Sequence, residues 1–216
     1  YIECSQVREE VSDGSRYYRH ASKGAWPFSS RDHGWPISDC SSEGLKAALD
    51  LERAAGGNLQ SDEIGESRLG ECCDIILSFQ NNVSSGGQTC LFSFFRLFSC
   101  CLIFWLRRGF ISHAFPALSV PPQSDGWWTG DVPGGWATYE RTRGPALLEL
   151  LNPSECFGDI VVDYAYVELT SACMCALSSF AKRYPSNARV GDISLAVGRG
   201  CDWIRSSQRQ DGSWCE

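Results

Sequence analysis

The chain has 216 residues, of which 43% are hydrophobic and 21% are charged, and its formal net charge is -7. This length allows one ordinary domain with a substantial core, and the composition is typical of a globular rather than a disordered protein. The acidic balance offers no basic face that could neutralise phosphates. It therefore excludes nucleic acid as a partner and disfavours binding to anionic lipid headgroups.

Cysteine usage and the N-terminus indicate where the protein works. The twelve cysteines are scattered, and no two stand at the CxxC spacing, so no zinc site is predicted. We interpret them as reduced thiols of an intracellular protein rather than as a disulfide framework. The N-terminus is polar, which does not fit a signal peptide, and it lacks Met, so we expect a piece of a longer protein.

The first predicted elements are a structured loop and two helices. Residues 24 to 39 contain two Trp-Pro steps, which favour a loop because a residue before proline avoids the helical region. Ser38 or Asp39 is predicted to cap a helix that continues to Leu51, with Glu43 one turn inside it. A Gly-rich polar stretch, residues 54 to 70, predicts a loop, and a second helix is expected over residues 71 to 79.

The composition then changes abruptly. The sequence divides into an orderly segment over residues 1 to 82, an irregular insertion over 83 to 133, and a second orderly segment over 134 to 216. The apolar run at 91 to 106 contains Arg96 and is shorter than the about 20 residues of a membrane helix. Further helices are expected over 146 to 151, 160 to 184 and 192 to 207. Because no segment alternates as a strand does, the predicted fold class is all-α.

The C-terminal stretch carries a spaced motif: Gln208, three residues, Gly212, one residue and Trp214. A Gln amide can satisfy backbone groups at a helix end, and a Trp after a Gly turn can pack over the neighbouring helix. Read alone, the pattern predicts only a helix stop with a packed Trp.

With its neighbours, this motif resembles the QW repeat of the squalene and oxidosqualene cyclases. The resemblance extends, in the family's order, through YYRHASKGAWPFSSRDHGWPISDCSSEGLKAAL, GGWATYERTRG, LLELLNPSECFGDIVVDYAYVE and TSACMCAL, about three quarters of the chain. Plant-type triterpene synthases, such as those forming beta-amyrin or cycloartenol, are the most similar branch. The resemblance implies part of an α/α barrel, or toroid.

Asp39 is the candidate catalytic acid. The run Asp39-Cys40-Ser41-Ser42-Glu43 resembles the family's DCTAE motif, whose aspartate donates the proton and whose cysteine lies beside it. Opening an epoxide requires a carboxyl that burial keeps neutral and that donors stabilise once it is ionised. Squalene–hopene cyclases use a DxDD sequence instead, so this motif resembles the epoxide-opening branch. The alternative interpretation is that Asp39 is only a helix cap.

Aromatic side chains are the second part of the predicted site. The resemblance implies that Phe28 and Tyr139 stabilise the carbocation, since aromatic faces attract cations without attacking them. Trp26, Trp35 and Trp136 are interpreted as packing residues. A lone His33 is assigned a hydrogen-bonding role only. The proton-initiated reaction of the family needs no metal or other cofactor.

The sequence departs from the family pattern in three places. Leu169, in YVELTSA, replaces a cysteine that would be a second thiol partner of the acid, so we expect a weaker acid. The motif also has CSSE in place of CTAE, which we interpret as a mild change. Gln80 should be followed almost directly by Gly134 and Trp136 as another QW repeat. We interpret the intervening residues 83 to 133 as a translated intron, and a long functional loop is the alternative.

The resemblance implies a triterpenoid-forming isomerase that cyclises 2,3-oxidosqualene to a triterpene alcohol. The family associates peripherally with the endoplasmic reticulum membrane or with lipid droplets. Because the chain covers only part of the family's length, it is expected to be inactive alone, and a catalytically dead remnant is the main alternative. An α/α-barrel glycosidase would need a second carboxylate, for which Glu43 is the obvious but unsuitable candidate.

Overall fold

A computed structural model describes residues 1–17, 19–32, 34–56, 64–81, 133–139, 150–153 and 163–214. All of these belong to one compact unit. The named elements, in chain order, are α1 (Ile2–Ser5), a 3-10 helix (Gly14–Tyr17), α2 (Ser38–Ala54), α3 (Glu66–Phe79), β1 (Trp136–Ala137), β2 (Ala165–Tyr166), α4 (Val167–Arg183) and α5 (Val190–Ser207). The described part is rich in helix, which agrees with the predicted all-α class.

Helix α2 forms where the sequence predicts it, although its cap differs from the prediction. Leu45, Ala48 and Leu49 recur at helical spacing and are buried. The N-cap is Ile37, and no side chain caps this end. Ser38 is instead the first residue of the helix, and its amide and hydroxyl donate to Thr138 O and Ala137 O, at 2.9 and 2.6 Å.

Helix α3 begins at Glu66, within the stretch predicted to be a loop. Its buried face starts at Leu69 and Gly70 and continues through Ile76 to Phe79. The acidic Glu66 lies in the first turn, where the positive end of the helix dipole favours it. The loop therefore ends before Glu66 rather than at residue 70. The apolar spacing that indicates this helix already begins at Leu69. Residues 57–63 lie outside the described part.

The helix predicted over residues 160 to 184 starts later than expected, as α4 at Val167. Residues 165 and 166 are extended instead, because they pair antiparallel with β1, with Trp136 opposite Tyr166 and Ala137 opposite Ala165. This short ladder corrects the prediction that strands are absent. The last predicted helix is α5, and the helix predicted over 146 to 151 lies mostly outside the described residues.

The core lies where α2, α3, α4 and α5 pack together. Its largest fully buried side chains include Trp136, Phe79, Phe180 and Trp203. Trp26 Nε1 donates to Ile2 O at 2.8 Å and Trp136 Nε1 to Ile76 O at 2.7 Å, whereas Trp203 Nε1 is buried without a hydrogen-bond partner among the described residues. The interpretation of Trp26 and Trp136 as packing residues agrees with this burial.

Residues on either side of the predicted insertion meet in space. Gly134 N donates to Asn81 O at 2.7 Å, and Asn81 N donates to Gly135 O at 2.8 Å. Gln80 forms an isolated antiparallel bridge with Trp136. The two parts of the expected QW repeat are thus adjacent in the fold, although residues 82–132 lie outside the described part.

Two further observations concern the described residues only. None of their helices combines the length and apolar character needed to cross a membrane. The cysteines that the structure describes are all free: Cys4, Cys40, Cys72, Cys73, Cys173, Cys175 and Cys201.

Candidate active site

The first turn of α2, residues 38–42, is where segments distant in sequence converge. Ser38 binds the carbonyl oxygens of Ala137 and Thr138 through its hydroxyl and amide. On another side, the Ser41 hydroxyl lies 3.2 Å from Trp26 N and 3.3 Å from Trp26 O. Ser38, Ser41 and Ser42 are completely buried. These serines fix the turn by hydrogen bonds, which buried hydroxyls require.

Asp39, the predicted acid, lies inside this turn and is partly buried. Its Oδ1 accepts a hydrogen bond from the Cys40 amide at 2.6 Å. Burial, followed by the charge of the Asp39 carboxylate and a hydrogen bond to it, raises the pKa of the Cys40 thiol to about 11. Cys40 therefore stays protonated at neutral pH and can donate to the Asp39 carboxylate.

Tyr139 lies near this turn because its neighbour Thr138 is hydrogen-bonded to Ser38, the neighbour of Asp39. Thr138 O accepts from Ser38 N, so the two chain segments are in contact one residue before Tyr139 and one residue before Asp39. The Tyr139 amide donates to the Asp163 carboxylate at 2.6 Å. The structure thus brings Tyr139 and Asp39 into the same region.

Phe28 occupies a different environment. Its ring is 79% exposed, although Trp26, two residues earlier, is buried and anchored to the first turn of α2. The loop that contains Phe28 is closed by an antiparallel bridge between Pro27 and Pro36. Phe28 therefore follows a residue that is bonded to the turn, but the described residues do not enclose its side chain. His33 lies outside the described part.

Helix α4 carries two residues with different chemistry, Leu169 and Cys173, of which Cys173 contacts the first turn of α2. Leu169, at the expected thiol position, is partly buried in the first turn of α4. Cys173, one turn later, is fully buried, and its sulfur lies 3.2 Å from the Ser42 hydroxyl. Sequence reasoning missed the pairing of Ser42 with Cys173. The usable signal was the serine in CSSE, since a buried hydroxyl needs a partner.

Among the described residues, neither Glu43 nor a cluster of potential metal ligands forms a second catalytic group. Glu43 is exposed and pairs with Lys46 at 2.5 Å, so it faces away from the buried side of α2. A glycosidase pair of carboxylates is therefore unsupported there. Nowhere in the described ranges do three His, Cys, Asp or Glu side chains cluster as metal ligands would.

The predicted QW motif at the C-terminus has a different hydrogen-bond arrangement from the expected one. Gln208 caps α5, but its side-chain amide donates to Gly212 O at 2.8 Å, within the Gly turn. The helix-end carbonyl of Ile204 instead accepts from Trp214 Nε1 at 3.0 Å. The correction follows from the turn itself, because Gly212, at φ 86°, brings the chain back over the helix end.

Gln80 is the buried counterpart of that motif. Its amide donates to Gly134 O at 2.9 Å and to Ala196 O at 2.7 Å, and its oxygen accepts from Arg199. One side chain thus joins the end of α3, the segment before β1 and helix α5.

Comparison with known proteins gives consistent relatives along nearly the whole chain. A cycloartenol synthase of Dictyostelium discoideum is 38% identical over 214 residues, which are 99% of this chain and 23% of that protein. Lanosterol synthases of Mus musculus and Homo sapiens are 36% and 35% identical over the same share of this chain, and 22% of each is covered. The chain therefore spans about a fifth of the length of these relatives. No family model matches it.

Proposed function

We propose a function from one premise, that this chain is homologous over 99% of its length to a segment of the oxidosqualene cyclases. It comes from a protein that cyclises 2,3-oxidosqualene to a triterpene alcohol, and it contributes the acid that starts the reaction. The observation that carries the proposal is the first turn of α2. There, Asp39 is partly buried, bonded to the Cys40 amide and accompanied by a protonated thiol.

In the proposed reaction, Asp39 transfers its proton to the epoxide oxygen. The epoxide C–O bond breaks with its electron pair staying on oxygen, which becomes a hydroxyl, and a carbocation forms on carbon. The Cys40 thiol and amide stabilise the carboxylate that remains, which strengthens the acid. The proton transfer from Asp39 and the stabilisation of its carboxylate thus involve groups in the first turn of α2.

Aromatic side chains then guide the cation. Tyr139, beside the turn, and Phe28, on the anchored loop, offer faces that attract positive charge without forming a bond to it. Because Phe28 is 79% exposed, its ring needs a further wall from the longer protein to exclude water. We therefore propose that the complete cavity forms only with segments beyond this chain.

The remaining family features are proposed on the same basis. The α/α toroid, the role of Gln208, Gly212 and Trp214 as a structural QW repeat, and peripheral association with the endoplasmic reticulum membrane or lipid droplets all follow the resemblance. The paired arrangement of Gln80, Gly134 and Trp136 supports the proposal of repeats that join successive helices.

A segment exchange tests the function. This chain replaces the matching segment of the Dictyostelium discoideum cycloartenol synthase, once complete and once with a two-residue turn in place of residues 82–133. Each purified chimera and the chain alone are incubated with labelled 2,3-oxidosqualene, and cyclic alcohols are separated by chromatography. We expect product from the shortened chimera and none from the chain alone.

The rival proposal is a catalytically dead remnant of the family. It is favoured by Leu169 at the expected thiol position, because an apolar side chain cannot donate to the Asp39 carboxylate. A shortened chimera that folds and binds substrate but yields no cyclic alcohol would establish the remnant and contradict the catalytic proposal.

A further inference from the structure

We infer that Cys173 and Ser42 form a positioning pair for the acid, holding the first turn of α2 against α4 through a buried polar contact. The role as an aid to catalysis depends on the proposed function of Asp39. The contact itself is a feature of this chain and can be tested without turnover.

The geometry of the pair centres on the carbonyl of Ser38, the residue immediately before the acid. The Ser42 hydroxyl donates to Ser38 O at 2.7 Å and lies 3.2 Å from Cys173 Sγ. The thiol in turn lies 3.9 Å from Ser38 O. All three residues are fully buried, so water does not compete for these contacts.

This arrangement holds Ser38 from two directions. Its amide and hydroxyl are bound to Thr138 and Ala137, whereas its carbonyl oxygen faces Ser42 and Cys173. Rotation of α2 about its axis would break contacts on both sides. The position of the following Asp39 is therefore set by the way Ser38 is held.

The pair differs from the family pattern that the sequence resembles. There, alanine stands at the position of Ser42, and a thiol stands at the position of Leu169. In this chain the hydroxyl is present, and the thiol comes from Cys173, one turn further along α4. It contacts the backbone beside the acid, so α4 acts on Asp39 by fixing its turn.

Cys40 reports whether the turn is held. Its thiol is partly buried, and this burial, the charge of Asp39, a hydrogen bond to Asp39 and the charge of Glu43 together raise its pKa to about 11. Alkylation needs the thiolate, so Cys40 should react slowly at pH 8.5. If the pair is lost, the turn loosens, water reaches the thiol and its reaction becomes faster.

The experiment compares alkylation rates in the full chain by mass spectrometry of the Cys40 peptide, with exposed Cys4 as the internal reference. We expect Cys173→Val and Ser42→Ala each to accelerate Cys40 by roughly threefold to tenfold, as expected for a pKa lowered by about half a unit to one unit. Cys173→Ser keeps a polar group and should restore the slow rate. Cys175→Ser, at an exposed position on the same helix, is the matched control and should leave the rate unchanged.

Circular dichroism establishes whether each variant is folded. If Cys173→Val does not fold, the Cys40 alkylation rate in Ser42→Ala tests the inference instead. A native Cys40 rate in folded Ser42→Ala, or a rate in Cys173→Ser as fast as in Cys173→Val, would overturn the inference. Faster Cys40 alkylation in the pair variants together with an inactive chimera would support the positioning pair and reject the catalytic proposal. An active chimera together with unchanged Cys40 alkylation in the pair variants would reject the pair alone.

Discussion

Leu169 is the residue at which this chain departs most from the chemistry proposed for it. An apolar side chain cannot donate to the Asp39 carboxylate, so the anion left after proton transfer lacks one stabilising hydrogen bond. We predict that Leu169→Cys in the shortened chimera raises the rate of product formation by roughly tenfold, since one hydrogen bond to a charged group contributes about 1.5 kcal/mol. Initial rates with labelled 2,3-oxidosqualene measure the effect.

The control for this substitution is Leu169→Val, which changes volume without adding a donor. It should not raise the rate. Equal acceleration by Val and Cys would show that space at this position, rather than hydrogen bonding, limits the reaction.

Gly44 matters because it has no side chain where α2 approaches Trp26 closely. A Cβ built at this position would lie 2.4 Å from the Trp26 ring, which is buried and cannot easily move. We predict that Gly44→Ala lowers the free energy of unfolding by about 1–3 kcal/mol through overpacking, despite the better helix propensity of alanine. Denaturant titration followed by circular dichroism gives the value.

Gly198 in α5 provides the comparison. A Cβ there meets nothing within 4 Å, so Gly198→Ala should leave stability unchanged or raise it by up to about 1 kcal/mol. If Gly44→Ala were equally harmless, the close approach of α2 to Trp26 would be contradicted.

At the scale of elements, buried thiols connect the helices and make their packing sensitive to alkaline pH. Burial raises the pKa of Cys73 and of Cys173 to about 12, from an ordinary value of 9. A thiol with a raised pKa stabilises the fold fully below its unfolded pKa and loses that contribution as pH rises towards the folded value. We predict a fall in melting temperature between pH 9 and 11, measured under reducing conditions.

Replacing one such thiol separates this effect from general alkaline unfolding. Cys73→Ala should melt lower at every pH because of the cavity, but its further drop between pH 9 and 11 should be smaller than in the parent chain. Cys175→Ser, at an exposed position, should show the full drop. An unchanged drop in Cys73→Ala would reject the assignment to buried thiols.

Helix interiors and the C-terminal ends of α3 and α5 could be predicted from the sequence, but the starts of α3 and α4 could not. The apolar spacing of Leu45, Ala48 and Leu49 is a local signal, and α2 forms around it. The start of α4 depends instead on pairing of Ala165 with Ala137, which no local pattern encodes. Likewise, the helix begins at Ser38 with Ile37 as its cap residue, and the Ser38 hydroxyl donates to a carbonyl 99 positions away, which no local pattern encodes.

The candidate site shows the same division. Asp39 and Cys40 could be proposed as site residues because they lie together in a motif. The serine in CSSE signals that Ser42 needs a partner, but the partner could not be identified from the sequence, because the contact with Cys173 joins two helices. Burial was equally unpredictable at Phe28, which is exposed although it follows a buried Trp-Pro step.

For the whole molecule, the meeting of Asn81 with Gly134 and Gly135 predicts that the residues between them are dispensable for the described fold. A two-residue Asn-Gly turn in place of residues 82–133 should close the same hydrogen bonds. Shortening the connection should also stabilise the fold by about 2–3 kcal/mol through a smaller loop-closure entropy. Chemical denaturation of both chains measures the difference.

The junction can be disrupted as a control for this replacement. Gln80→Ala removes the amide that binds Gly134 O and Ala196 O, and it should destabilise the shortened chain and the complete chain alike. A shortened chain that fails to fold would show that residues 82–133 contribute to the unit they interrupt.

The most direct measurement is the dependence of product formation on the carboxyl of Asp39. In the shortened chimera, Asp39→Asn should reduce the rate of cyclic alcohol formation from labelled 2,3-oxidosqualene by at least about 10²–10⁴-fold, because an amide cannot supply the proton. Asp50→Asn, on the exposed side of the same helix, should keep the parent rate. If the Asp39→Asn chimera cyclises the substrate as fast as its parent, Asp39 is not the acid and the proposed role of this chain is wrong.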